Sequence, residues 1–145
     1  MIECEEIWYD YIISAIVKRS DIKPLNGFSK HQDKIISEIH RFINRYPPGQ
    51  VAIWGAGHQA FAIMSLASLG DKIKYVIDDA TFKQGKYTPA THIPILSSNS
   101  IIEDPPKAIM VMAGGYSDEV AKKVRKNFDV NIDVCILREE GIQHA

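Results

Sequence analysis

Cysteine is nearly absent from this chain. Of its 145 residues only Cys4 and Cys135 are cysteines, too few for a thiolate zinc cluster and too far apart in sequence to form one motif. Disulfide scaffolding is excluded by the same count. An excess of charge of either sign is also missing. Lys and Arg together number 17 against 18 Asp and Glu, a formal net charge of −1. With no long run of one sign, neither nucleic acid nor an anionic membrane surface is an expected partner. No apolar run approaches the ~18 residues of a membrane-crossing helix. After Met1 the chain runs Ile-Glu-Cys-Glu-Glu-Ile-Trp-Tyr, without the basic start and apolar core of a secretory leader, so the expected location is a reducing cytoplasm. Internal repeats and low-complexity segments are lacking as well.

What is present suits a folded α/β domain. Hydrophobic residues make up 46% and charged residues 24%, ordinary globular usage at a length that fits one core. Ile7, Trp8, Tyr11, Ile12, Ala15 and Ile16 recur at helical spacing and predict a helix over residues 5–17, broken by Pro24 and Gly27. Ile35, Ile36, Ile39, Phe42 and Ile43 predict a second helix over about residues 31–46, with Ser29 placed to cap it and Pro47-Pro48-Gly49 to stop it. Val51-Ala52-Ile53-Trp54 then reads as a strand covered on both faces. A helical stripe from Phe61 to Leu69 ends at Gly70, and residues 74–77 form the next strand. Further strands are expected at 93–96, 108–113 and 134–137, a helical turn near 98–103 and an amphipathic helix over 117–127. Cys135, inside the last strand, reads as a small core residue and Cys4 as a bystander.

This alternation predicts a Rossmann-like three-layer sandwich, with a mostly parallel sheet of about five strands in the order 3-2-1-4-5. The two N-terminal helices form an extension over residues 1–48, and the Rossmann-like domain spans 49–145.

Gly55-Ala56-Gly57-His58-Gln59-Ala60 fits G-x-G-x-x-A between a strand and a helix, the place where that turn holds dinucleotide phosphates. The first glycine allows the sharp turn, the second lets an anion approach the backbone, and the unpaired amides of a helix start favour phosphate. Asp78 ends the next strand, about 20 residues on, where an acid can accept hydrogen bonds from both ribose hydroxyls. A plainer reading fits the same residues: the glycines merely turn the chain, Asp78 and Asp79 are solvated loop acids, and His58 is an exposed histidine without a role.

The stretch Val76-Ile77-Asp78-Asp79-Ala80-Thr81-Phe82-Lys83-Gln84-Gly85-Lys86-Tyr87-Thr88-Pro89-Ala90-Thr91-His92-Ile93-Pro94-Ile95 is the most distinctive of the chain. Together with Trp54-Gly55-Ala56-Gly57 it closely resembles the C-terminal domain of the S-adenosylmethionine-dependent sugar C-methyltransferases, which act on nucleotide-linked deoxysugars. The resemblance covers residues 50–137. Asp78, the segment 83–87, Pro89 and the segment 91–94 match, while Ala90 stands where the family has glycine. Gly114-Gly115-Tyr116 replaces the family's usual Trp-Asn pair, which implies altered substrate recognition.

Physically, Lys83 and Lys86 with Tyr87 suit a diphosphate and a base or sugar face, next to the turn formed by Gly55, Ala56, Gly57, His58 and Gln59. Gly114 and Gly115 would form the opposite wall. His92 is expected to pair with a backbone carbonyl, Ser117 or Asp118 to cap a helix, and Glu119 to favour its first turn. Neither catalytic nor metal-binding residues are assigned.

The resemblance implies a machine of three parts, a zinc domain, a methyl-donor domain and this one, with the sugar nucleotide held between the last two. Neither of the first two is read here. The chain is therefore expected to bind a nucleotide-diphosphate sugar and to transfer no methyl group alone, S-adenosylmethionine residing on a missing or partner methyl-donor domain in cis or trans. A small NAD(P)-type oxidoreductase domain, or a structural or oligomerising domain such as a homodimer, are the alternatives.

Overall fold

Val51-Ala52-Ile53-Trp54 and Ala108-Ile109-Met110-Val111 contain no polar side chain to turn toward water, and both are buried along their whole length at the centre of a sheet. The computed structural model describes residues 3–7, 12–16, 26–128 and 131–145, and side chains for 29–128 and 131–145. In chain order the elements are β1 (Glu3–Ile7), β2 (Ile12–Ile16), α1 (Asn26–Ile43), β3 (Val51–Trp54), α2 (His58–Leu66), β4 (Ile73–Ile77), β5 (Ile95–Leu96), α3 (Ser100–Glu103), β6 (Ala108–Val111), α4 (Ser117–Asn127), β7 (Asp133–Arg138) and β8 (Gly141–His144). The main sheet has six strands in the order β5-β4-β3-β6-β7-β8. All neighbours are parallel except β7 and β8. Counted from β3, the parallel strands follow the expected order 3-2-1-4-5, and an antiparallel sixth is added at the edge.

Strand alternation sends successive side chains to opposite faces. Val51, Ile53, Val76, Met110 and Cys135 meet Ile39, Phe42 and Ile43 of α1 and Ala60 and Met64 of α2 on one face. Ala52, Trp54, Ile77, Ile109, Val111, Val134 and Ile136 meet Ile101 of α3 and Ala121 and Val124 of α4 on the other. Cys135 is fully buried and unpaired, as its apolar run suggests, and burial pushes its thiol pKa up. No helix among the described residues is long and apolar enough to cross a membrane.

The N-terminus departs from expectation. In place of a helix over 5–17, β1 and β2 pair antiparallel from Glu3↔Ile16 to Ile7↔Ile12. Ile7, Ile12, Ile13 and Ile16 are β-branched, which favours the strand, and a short apolar pattern alone does not separate the two. Trp8, Tyr11 and Pro24 lie outside the described residues, as does the side chain of Cys4. The second helix begins earlier than expected, so that Gly27 and Ser29 lie within α1 rather than breaking or capping it. It ends at Ile43 in tightened turns, Arg45 N to Phe42 O and Tyr46 N to Ile43 O, because residues before proline avoid the α region.

α2 also stops before Gly70. Its last turn closes through Ser68, at φ 51°, with Leu69 N bonded to Met64 O and Ser68 N to Ser65 O. This is the Schellman arrangement with serine in the left-handed position. Buried Leu69 and Met64 supply its hydrophobic partners.

Candidate functional site

β3 has β4 on one side and β6 on the other. At such a reversal of strand order the connections leave in opposite directions and open a crevice beyond the carboxyl ends. Here that crevice is a cleft of about 430 Å³, and the glycine turn after β3 forms one wall.

The two glycines of the turn are there for different reasons. Gly55 has φ 126°, and a Cβ on it would stand 2.4 Å from the Met112 carbonyl oxygen. Its amide donates to Ile77 O at 2.8 Å, so the chain leaving β3 is clamped between β4 and β6. Gly57 has φ −100° and ψ 164°, extended values open to any residue, and a Cβ there would meet nothing within 4 Å. Gly57 is the N-cap of α2, and no side chain caps that helix. The amides of its first turn therefore lack an internal partner at the cleft.

Asp78 is the hub between this turn and the loop beyond β4. Its Oδ2 accepts from Ala56 N at 2.8 Å and from Lys83 Nζ at 3.0 Å, and its Oδ1 accepts from Ala80 N at 2.9 Å. Gln84 Nε2 donates to the Asp78 carbonyl oxygen at 2.9 Å. Burial alone would raise the carboxyl pKa, but the bonds from Ala80, Lys83 and Ala56 outweigh it and hold the group below its ordinary value. Three of about four acceptor positions are thus used within the chain.

The loop folds back on itself through Gly85 N to Ile95 O, Ile95 N to Lys86 O and Thr88 N to Ile93 O. Thr88 is buried and its Oγ1 accepts from Ile93 N at 2.8 Å while pairing with Thr91 Oγ1 at 2.7 Å. Ala90 has φ 62° and His92 φ 54°. The alanine thus occupies a left-handed conformation that suits glycine. The expected carbonyl bond of the His92 side chain is replaced by a ring contact: the imidazole stacks on Tyr87 at 4.4 Å and 4°, and it is the backbone amide that donates to Thr88 O at 3.1 Å.

The wall opposite the glycine turn begins where β6 ends. Met112 N bonds Trp54 O, and a 3₁₀ turn over Gly114–Tyr116 leads into α4. Ser117 is buried and its Oγ accepts from Ala113 N at 3.1 Å, so it ties α4 back to β6 instead of capping the helix. Asp118 pairs with Arg138, also without capping, and Asp118 and Glu119 both lie in the acidic first turn.

The cleft brings together Gly55, Ala56, Gly57, His58, Gln59, Asp78, Lys83 and Gly114. Lys86 and Tyr87 line an adjoining pocket of about 220 Å³ that shares Ala56 and Lys83 with it. Gly115 lies on the turn beside the cleft, outside its lining. Trp54, Met112, Tyr116 and Val120 also line the cleft and were not read as site residues. A signal existed for two of them, since Trp54 precedes the glycine turn and Tyr116 follows the glycine pair. Asp79, also in the lining, pairs with Lys123 at 2.7 Å. The two carboxylates of the cleft are thus each matched by a lysine. No group of three or more potential metal ligands occurs among the described residues.

A mixed α/β domain with a glycine-turn cleft at its strand-order reversal is the class that these features define. Within that class, the sequence profile described as the C-methyltransferase C-terminal domain matches residues 16–135, and the chain belongs to this family. The match takes in α1, upstream of the segment whose motifs carry the resemblance. A search of curated proteins finds no match.

Proposed function

We propose that the chain is a Rossmann-like module that binds a nucleotide-diphosphate sugar at this cleft and does not transfer a methyl group on its own. S-adenosylmethionine would be held by a methyl-donor domain in cis or in trans. The observation that carries the reading is Gly57. Neither its backbone angles nor its neighbours require glycine, so the missing side chain serves the space in front of the α2 amides, where a phosphate can approach. Lys86 is exposed and has no ion-pair partner among the described residues, and it supplies the cation, because Lys83 is already paired with Asp78. The commitment of Asp78 to Ala56, Ala80 and Lys83 argues against an NAD-type site, where that acid must accept two ribose hydroxyls.

Titration calorimetry with thymidine diphosphate-glucose, NAD and S-adenosylmethionine tests the proposal. The nucleotide sugar is expected to bind, and Gly57→Val to weaken it at least tenfold while the melting temperature falls by no more than about 5 °C, the scale of a lost N-cap preference. Binding of NAD alone would move the chain to the oxidoreductase reading, and binding of none of the three would leave a structural domain.

A further inference from the structure

Three large aromatic side chains on the loops at the carboxyl edge are well exposed: Phe82 at 71%, Tyr87 at 56% and Tyr116 at 70%. Two of them, Phe82 and Tyr87, flank the smaller pocket beside the cleft. Its remaining walls are mostly apolar, with Phe61 and Ile95 toward the core and Lys86 at the rim. A lone exposed ring is ordinary, but Phe82 and Tyr87 stand together at one apolar pocket, and such a grouping marks a contact site.

Both rings are held in place from behind. Tyr87 is stacked nearly parallel on His92 at 4.4 Å, and His92 is kept there by a backbone in the left-handed region. Phe82 lies under the Lys83 ammonium at 5.7 Å, and Lys83 is fixed in turn by Asp78. Left-handed non-glycine residues persist only where their surroundings over-determine them, and they gather at functional sites. Here the surroundings are the Thr88 and Thr91 hydroxyls and the Tyr87–Pro94 bridge. Such preorganisation removes much of the entropy cost of stacking a ligand on an exposed ring.

The geometry points to a second subsite, in which the small pocket takes the planar base of the nucleotide on the Tyr87 ring. The inference rests on the nucleotide-sugar reading above and extends it. Ala56 and Lys83 border both cavities, so a ligand with two ends joined by phosphates can occupy the two together. The sugar lies in the larger cleft between the glycine turn and Tyr116. The diphosphate passes over the partition, within reach of Lys86. Two lysines at the border of the small pocket, Lys83 and Lys86, and apolar walls inside from Phe61, Pro89 and Ile95 match an anionic linker followed by a neutral ring. Base–aromatic stacking also tolerates different bases, so Tyr87 provides affinity for a nucleotide more than choice among nucleotides.

Titration calorimetry of the full chain with thymidine diphosphate-glucose and with glucose 1-phosphate, which lacks the base, tests the subsite. The parent is expected to bind the nucleotide sugar more tightly. Tyr87→Ala should weaken the nucleotide sugar about tenfold, the scale of one stacked base, and leave glucose 1-phosphate unchanged, while Tyr87→Phe keeps the parent's affinities within twofold. Equal binding of both ligands by the parent overturns the inference, as does an unchanged affinity of Tyr87→Ala or an equal loss for both ligands. In all three cases the nucleotide-sugar reading stands. A parent that binds neither ligand overturns that reading and the subsite with it.

Discussion

At Gly55 a methyl group in place of hydrogen would stand 2.4 Å from the Met112 carbonyl oxygen, on a backbone with φ 126°. Neither the clash nor the angle can relax without separating β3 from β6, so Gly55→Ala is expected to cost on the order of 3 kcal/mol or more in urea unfolding. Gly57, with open space and ordinary angles, should accept alanine with a stability change within about 1 kcal/mol. That contrast separates the glycine the fold requires from the one the proposed binding role requires. Asp78 carries a pH dependence whose sign follows from its partners. The folded carboxyl titrates below the ~3.9 of an unfolded aspartate. Its contribution is therefore present above about pH 4 and is lost as the pH falls through the folded value. Asp78→Asn should be less stable than the parent at pH 7, and the gap should narrow in urea titrations stepped downward from pH 4. A constant gap would mean that the charge of Asp78 contributes nothing to holding the turn.

At the scale of elements, two chain reversals use the wrong residue for their geometry. Ser68 closes α2 at φ 51° and Ala90 turns the loop at φ 62°. An L-residue there costs about 1–2 kcal/mol, and glycine returns part of that gain through the greater freedom of its unfolded chain. Ser68→Gly and Ala90→Gly should each stabilise the protein by about 0.5–1 kcal/mol, read as a higher midpoint in thermal unfolding. These reversals also mark how far local signals reach. Gly70 looks like the helix terminator in the sequence, yet the Schellman bonds form two residues earlier, because Leu69 must be buried beside Met64. The run 117–127, whose polar and apolar residues alternate at helical spacing against a flat sheet face, was legible to the residue. β8 was not, since Gly-Ile-Gln-His holds one aliphatic side chain and becomes a strand only by pairing with β7.

As a whole molecule the chain is expected to bind without catalysing. Incubated with labelled S-adenosylmethionine and a panel of keto-deoxysugar nucleotides, the purified chain is expected to yield no labelled product. Reproducible labelled sugar would overturn the binding-module reading. Addition of a methyl-donor domain in trans is the complementary arm, and it should restore transfer if the two meet across the cleft.

The sequence by itself determined the buried strands, the glycine turn between strand and helix, and the parallel order, because these follow from short-range periodicity and from the fixed hand of crossover connections. It also held the family's motif around Asp78. Only the tertiary structure decided what Asp78 touches. A carboxylate that looks available for a ligand is satisfied by two amides and a lysine that the fold brings to it. The same holds for His92, which faces Tyr87 rather than a carbonyl, and for the strands β1 and β2 in place of a helix. Periodicity states which side chains must leave water. The partners of polar groups and of short ambiguous segments come from contacts distant in sequence, which no local pattern contains.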